Sequence, residues 1–383
     1  MSAKIFILVF ICSCLVLPFS PYFSYILVLL GLIIFSYKIN KFFTYTSFLL
    51  ACFSQFYILH SKKYIVEREF DLGNYYFSYS DLMHSSIAQA SNSSLEIGWY
   101  VVYKIIGVFN QNLNIYDIAL INYMICIVLF FVWLVKYGSR EIEPHYLGFV
   151  LGIIVLFMWP SNFPFFQRQS ISVAILLFAI SNIKNFRNFI FFLILASLFH
   201  ATSFAIGVIY YILVSYNIKN IVKKMIISLI AFRLLFSILL TYIMIFFVNV
   251  DLVRKVSFYA EGDGNLFLAF SELRFFPLFI LIFIFYKKID SEWKNIIIFS
   301  ALFYISLIGI QFASGRFNFI LVYLYGYFLW LVAKKQPYVL FAYVLFYFIF
   351  DILYKSNLIL VLSDPFWQRY PLFGLSPFYY LGY

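Results

Sequence analysis

Runs of about twenty apolar residues recur from one end of the chain to the other, and Tyr116 to Val135 is the plainest of them. In lipid every backbone N–H and C=O must be satisfied within the protein, so segments of this kind become helices. The expected fold is therefore an all-α polytopic membrane protein. Composition agrees, with 64% hydrophobic and 11% charged residues, far from the balance of soluble domains. The polar stretches His60 to Ser94 and Asn249 to Arg274 are too short and too aromatic to fold alone. Residues 1–383 are thus read as a single integral membrane domain, with external loops at 60–98 and 249–274. A net charge of +11 would suggest nucleic acid in a soluble protein. Here the Lys and Arg lie in short loops where they orient helices, so the bilayer and not nucleic acid is the expected partner. Cys12, Cys14, Cys52 and Cys126 sit in apolar segments without metal spacing and read as core fillers.

The N-terminal MSAKIFILVFICSCLVL has the charge and apolar run of a signal peptide, but Pro18-Phe19-Ser20-Pro21 turns it at once into a second apolar segment, Tyr22 to Tyr37. It is read as a retained first helix. Lys38 and Lys41 place the second loop in the cytoplasm, and the third helix, Phe42 to Leu59, then carries the 60–98 stretch outside. Trp99 to Phe109 is an amphipathic segment suited to lying at the interface or re-entering. The span from Tyr116 returns inside to Lys136 and Arg140; the next goes out to Trp159, and another comes back to Lys184 and Arg187. A break at His200 into two short helices keeps Lys219, Lys223 and Lys224 inside, each arm being roughly 18 to 21 Å long. Continued to the end, the parity gives about 13 spans, in a range of roughly 11 to 15, with the segment after Tyr354 outside.

Within the stretch from Trp159 to Gly207, Arg168 and His200 stand at the ends of otherwise apolar helices. An ionisable group at membrane depth costs a few kcal/mol or more, so both are expected to line a polar cavity with a task. By the parity above, Arg168, His200, Arg254, Arg274 and Arg316 gather on the face opposite the cytoplasm. That side has no ATP or nucleotide sugar, so a reaction there needs substrates that arrive activated, as lipid-linked pyrophosphates do.

The pattern FQRQSISVAILLFAI, a short basic turn and then LASLFHATSFAIG resembles the core of the EpsG-like family of Wzy-type polysaccharide polymerases. DLGNYYFSYSDL leading to LEIGWYVVYKII, and the late GRFNFILVYLYGYF, are similar to flanking features of that family. The likeness runs from about Asp71 to Phe328. It departs from the family at Ile97, where members often carry Pro after the acid, and this weakens the carry-over of Glu96. The resemblance implies a fold like the GT-C glycosyltransferases and an enzyme of the bacterial inner membrane. Such an enzyme polymerises O-antigen or capsular repeats on undecaprenyl pyrophosphate at the outer face, with a flippase and a chain-length regulator as neighbours and no cofactor.

A departing pyrophosphate calls for fixed cations with a bidentate fork, for which Arg168 and Arg316 are chosen and Arg274 is third. Gln169, in the Arg-Gln pair that opens the helix, belongs with them, and Asp71 and Tyr75 complete the substrate-binding set. The attacking hydroxyl needs a base: His200 is chosen over Glu96, since His suits proton transfer near neutrality. Each has a plainer role beside this one. Arg168 can snorkel, Arg316 can anchor to headgroups, His200 can bond between helices, Glu96 can complement a helix dipole, Asp71 can be solvated, and Tyr75 can belong to an interfacial aromatic belt.

His60, His84, His145 and His200 show no paired spacing and there is no DxD pair, so no metal site is expected. Two rivals stay open. A lipid-oligosaccharide transporter would carry internal repeats with matching broken helices, and none is found. An O-antigen ligase shares the donor but usually has a long late loop with its own Arg and His; here the 249–274 loop has no His.

Overall fold

A computed structural model describes residues 2–37, 39–67, 71–91, 96–158, 160–215, 223–231, 234–235, 275–307, 318–355 and 369–381. Arg254, Arg274, Arg316, Lys219 and the whole 249–274 loop lie outside these residues. Among the described residues there are helices and turns and no strand. The first twelve helices are α1 (Ser2–Val16), α2 (Pro21–Leu30), α3 (Lys41–His60), α4 (Asp71–His84), α5 (Ile87–Ala90), α6 (Gly98–Phe109), α7 (Ile115–Lys136), α8 (Leu147–Phe157), α9 (Asn162–Phe165), α10 (Gln167–Ser181), α11 (Phe186–Phe199) and α12 (Thr202–Ser215). Four more span Phe276–Phe285, Lys294–Leu307, Ile320–Ala333 and Pro337–Lys355.

The caps explain several of these starts. The Ser20 hydroxyl accepts the Phe23 N–H at 3.2 Å ahead of Pro21, and Asn40 accepts the Phe42 N–H at 2.9 Å. Asn114 and Asp117 form a reciprocal capping box at α7. The expected tight turn after the first helix is present, closed by bonds from the Phe19 and Ser20 N–H groups to the Val16 carbonyl at 2.9 and 2.8 Å.

Among the described residues, only α3 and α7 are long and apolar enough, by length and composition, to cross a membrane. The expected total of about 13 spans stays an expectation. The lipid-like character is visible on the surface, where Leu8, Leu15, Phe42, Val128 and Phe191 are exposed. Patches of that kind would aggregate in water and are at home against acyl chains. The helical, apolar-faced chain is a membrane protein. Cys52 and Cys126 are buried as expected of core fillers, whereas Cys14 lies on the exposed side of α1.

The chain divides into two units. The first comprises Met1–Phe204, Val322–Trp330 and Gln336–Tyr383. Its centre is formed by α8 and α10, which are buried along almost their whole length. Packed against them are α3 and α7. At Gly326 a side chain would run into the Ile153 backbone, so glycine is what lets that helix lie directly on α8. The two ends of this unit differ. At one, Tyr37 meets His145 and Tyr146, Asn182 donates to the Tyr137 hydroxyl at 3.0 Å, and Lys136 and Arg140 lie over the Tyr137 ring. At the other, the end of α3, the start of α7, the turn at Phe165 and the start of α10 come together. The basic loops and Arg168 are therefore at opposite ends.

The stretch at 60–98 reads as a loop but contains α4 and α5. One stripe of α4, with Leu72, Tyr79 and Leu82, is buried against α6 and α7, while its other face carries the polar residues that gave it a loop-like composition. The second unit comprises Ala205–Leu321 and Leu331–Lys335. In it Asn295 donates to the Leu213 carbonyl at 2.8 Å, and Phe279 packs on Tyr304 with ring centres 5.0 Å apart.

Candidate active site

The helix that carries Arg168 is fixed by a buried polar network. Asn122 of α7 donates to the Phe163 carbonyl at 2.7 Å and to the Ser170 hydroxyl at 3.1 Å, and the Tyr323 hydroxyl donates to the Ser170 carbonyl at 2.9 Å. One turn earlier, the Gln167 side-chain carbonyl accepts the Trp99 indole N–H at 2.9 Å, tying the start of α10 to the start of α6. Neither α6 nor α10 has a side-chain cap. Their first N–H groups leave positive potential at this end of the unit.

The break expected at His200 is present. α11 ends at Phe199, His200 is extended at φ −155 and ψ 115, and α12 begins at Thr202. Ser172 of α10 braces it, donating to the Ala196 carbonyl at 2.6 Å with the Ser203 hydroxyl 2.7 Å away. On the other side Gly98 lets α6 approach, since a methyl there would stand 2.8 Å from the Phe199 ring.

These restraints converge on Glu96. One of its carboxylate oxygens lies 3.0 Å from Arg168 Nη1; the other lies 3.1 Å from His200 Nδ1 and accepts the Ala201 N–H at 2.9 Å. The side chains of Glu96, Arg168 and His200 keep 18%, 33% and 27% of their surface exposed. The cluster is thus shielded but open to a ligand. Burial alone would raise the Glu96 carboxyl. His200, the Ala201 N–H and the Arg168 charge outweigh it and hold the group at about 2. Glu96 is consequently an anchored anion and a poor proton acceptor. Of the two ring nitrogens of His200, Nδ1 is the one that faces the carboxylate, which leaves Nε2 to face a substrate.

Tyr75 adds an aromatic wall. Its ring lies 5.9 Å from the Arg168 guanidinium carbon and 5.4 Å from the Trp99 ring, which stacks in turn on Tyr103 at 4.4 Å. Arg168, His200, Glu96 and Tyr75 are therefore brought together. Gln169 is buried within α10, and Asp71 is exposed on the first turn of α4, one turn before Tyr75. Arg316 and Arg274 lie outside the described residues. Among the described residues no three His, Cys, Asp or Glu side chains come together as a metal site would need.

Nothing in the sequence marks Trp99, Gln167, Ser172 or Gly98 as part of the site. Gln167 sat beside the conspicuous Arg168, and Trp99 followed an acid read as a helix-dipole partner. No local signal marks the serine, because its partner Ser203 belongs to a different helix.

The arrangement can hold a phosphate-bearing group at Arg168 while His200 removes a proton nearby. No curated protein and no solved structure matches the chain. A model described as the EpsG family matches residues 64–368, which include every member of the Glu96 cluster. The chain belongs to the EpsG family, whose members are Wzy-type polymerase-like proteins.

Proposed function

We propose that the protein is a polysaccharide polymerase of the bacterial inner membrane, making O-antigen or capsule. It transfers a growing glycan from undecaprenyl pyrophosphate to a new lipid-linked repeat at the outer face, with a flippase supplying the repeats and a regulator setting chain length. The observation that carries this reading is that one carboxylate, Glu96, holds Arg168 and His200 together at the end of the unit away from Lys136 and Arg140. By the bias of basic residues toward the cytoplasm, that end faces out.

The chemistry follows from the atoms present. A sugar hydroxyl of the acceptor forms a bond to the anomeric carbon of the donor, and the bond from that carbon to the pyrophosphate oxygen breaks, the oxygen leaving with the electron pair. His200 Nε2 takes the hydroxyl proton. The imidazolium so formed is steadied by Glu96, much as a buried acid steadies the His of a hydrolase triad. Arg168 gives one Nη to Glu96 and has N–H groups left for phosphate oxygens, in the place a divalent ion takes in nucleotide-sugar enzymes.

The test is reconstitution of the purified protein in vesicles with lipid-linked repeats extracted from cells lacking this gene. Polymer should form without nucleotide sugar, Arg168→Ala should stop it, and Arg168→Lys should restore it poorly because the planar fork is lost. Full-length polymer from both variants would make Arg168 a membrane anchor. Glycan appearing on a lipid A core acceptor would indicate the ligase.

A further inference from the structure

Both substrates of such a transfer carry a lipid pyrophosphate, and only one of these leaves, so a second anion contact is required beside Arg168. We propose that Arg369 holds the pyrophosphate of the acceptor, the lipid-linked unit whose hydroxyl attacks. This rests on the polymerase reading above.

Arg369 is exposed yet held in a built frame. Its backbone N–H donates to the Ser61 carbonyl at 3.0 Å, just past the end of α3. Its guanidinium lies over the Tyr116 ring at 4.2 Å and the Tyr370 ring at 5.1 Å. Both rings also flank His60, which stacks on Tyr370 at 5.9 Å and bonds the Tyr380 carbonyl through Nδ1 at 2.7 Å. The 369–381 segment is pinned to the turn between α1 and α2 as well. Ser20 donates to the Leu372 carbonyl at 2.6 Å, and the Gly374 and Phe378 N–H groups bond the Phe19 and Pro18 carbonyls at 3.0 and 2.7 Å.

Stacking occupies the faces of a guanidinium and leaves its N–H edge free for an anion. Among the described residues no carboxylate pairs with Arg369. The acid nearest in the chain to Tyr116, Asp117, accepts the Asn114 N–H at 2.9 Å in the α7 cap. A row of rings leads from this cation toward the other one. Tyr116 packs on Tyr64 at 5.3 Å and Tyr64 on Phe165 at 6.4 Å, with the Lys62 ammonium 5.0 Å from the Phe165 ring. Phe165 ends α9, in the turn that delivers Arg168 to α10. Arg369 therefore stands over the ring that begins this row, and Phe165 at its far end lies three residues before Arg168, so two pyrophosphates can be held at the same end of the unit. A phospholipid anchor would need no such row.

Binding of fluorescent farnesyl pyrophosphate to the full-length protein in phosphatidylcholine nanodiscs decides the matter. The wild type should bind two molecules per chain. Arg369→Gln should keep the Arg168-dependent one and weaken the other by about ten- to a hundredfold. Arg369→Lys, with an unchanged thermal transition, should recover only part. Two molecules bound as tightly by Arg369→Gln as by wild type would overturn the proposal. So would a change confined to discs containing phosphatidylglycerol, which would make Arg369 a headgroup contact. A wild type that binds one molecule, lost with Arg168→Ala, would remove the Arg369 assignment and leave the polymerase reading standing. A wild type that binds none would remove both.

Discussion

The Glu96 carboxylate oxygen that lies 3.1 Å from His200 Nδ1 also accepts the Ala201 N–H at 2.9 Å, so the acid grips the imidazole and the backbone beside it at once. Replacing it with Gln removes the charge and lets the side-chain amide present a donor to Nδ1, which favours the wrong tautomer. Glu96→Gln is expected to lower the initial rate of polymer formation by about a hundredfold or more, with pyrophosphate-lipid binding at Arg168 weakened far less. Initial rates on extracted lipid-linked repeats check this.

The same carboxyl gives a pH signature. Its folded value of about 2 lies below its ordinary 4.5, so it binds a proton less readily when folded. Its stabilisation is complete above about pH 4.5 and is lost as pH falls toward 2. Thermal unfolding of wild type and Glu96→Gln should therefore differ most above pH 4.5 and converge below it. A constant gap across pH 2 to 6 would show that Glu96 is not held as an anion.

Gly98 sets the approach of α6 to the break at His200. A methyl at this position meets Phe199 at 2.8 Å, so Gly98→Ala must push the two helix ends apart and lengthen the contact from Glu96 to His200. Activity is expected to fall about tenfold or more, with the thermal transition lowered by an overpacking cost of about 1 to 3 kcal/mol. Adding Phe199→Leu should restore part of the rate.

Sidedness can be read by cysteine labelling with an impermeant reagent, in a background where Cys12, Cys14, Cys52 and Cys126 are replaced. Positions beside Arg168, His200 and Arg369 should label from outside, and positions beside Lys136 and Lys184 only after the membrane is opened. Labelling beside Lys136 from outside would invert the assignment.

Much of this was legible in the chain because lipid leaves few choices. Ile115 to Lys136 is apolar, long and boxed by Asn114 and Asp117, so its helix could be read directly. The break at His200 followed from length and the basic cluster after it. The α4 helix was hidden because its buried stripe is spread among Asp, Asn and Ser. Glu96 stands out as a candidate, but its role is hidden, since Arg168 and His200 reach it only after α6, α10 and α11 pack. A contact made by three separate helices leaves no spacing in the sequence to find. Arg369 lies just past the 64–368 family match and gained its meaning only when Tyr116 was seen beneath it.

The most direct measurement is the length distribution of glycan made by His200→Gln, alongside its binding of farnesyl pyrophosphate. Gln keeps a hydrogen-bonding side chain and cannot take the proton. If His200 is the base held by Glu96, the variant binds the pyrophosphate lipid as wild type does and yields almost only single repeat units, the rate falling by about a hundred- to ten-thousandfold. A ladder of normal length from His200→Gln would contradict the account and reduce His200 to a brace between α11 and α12.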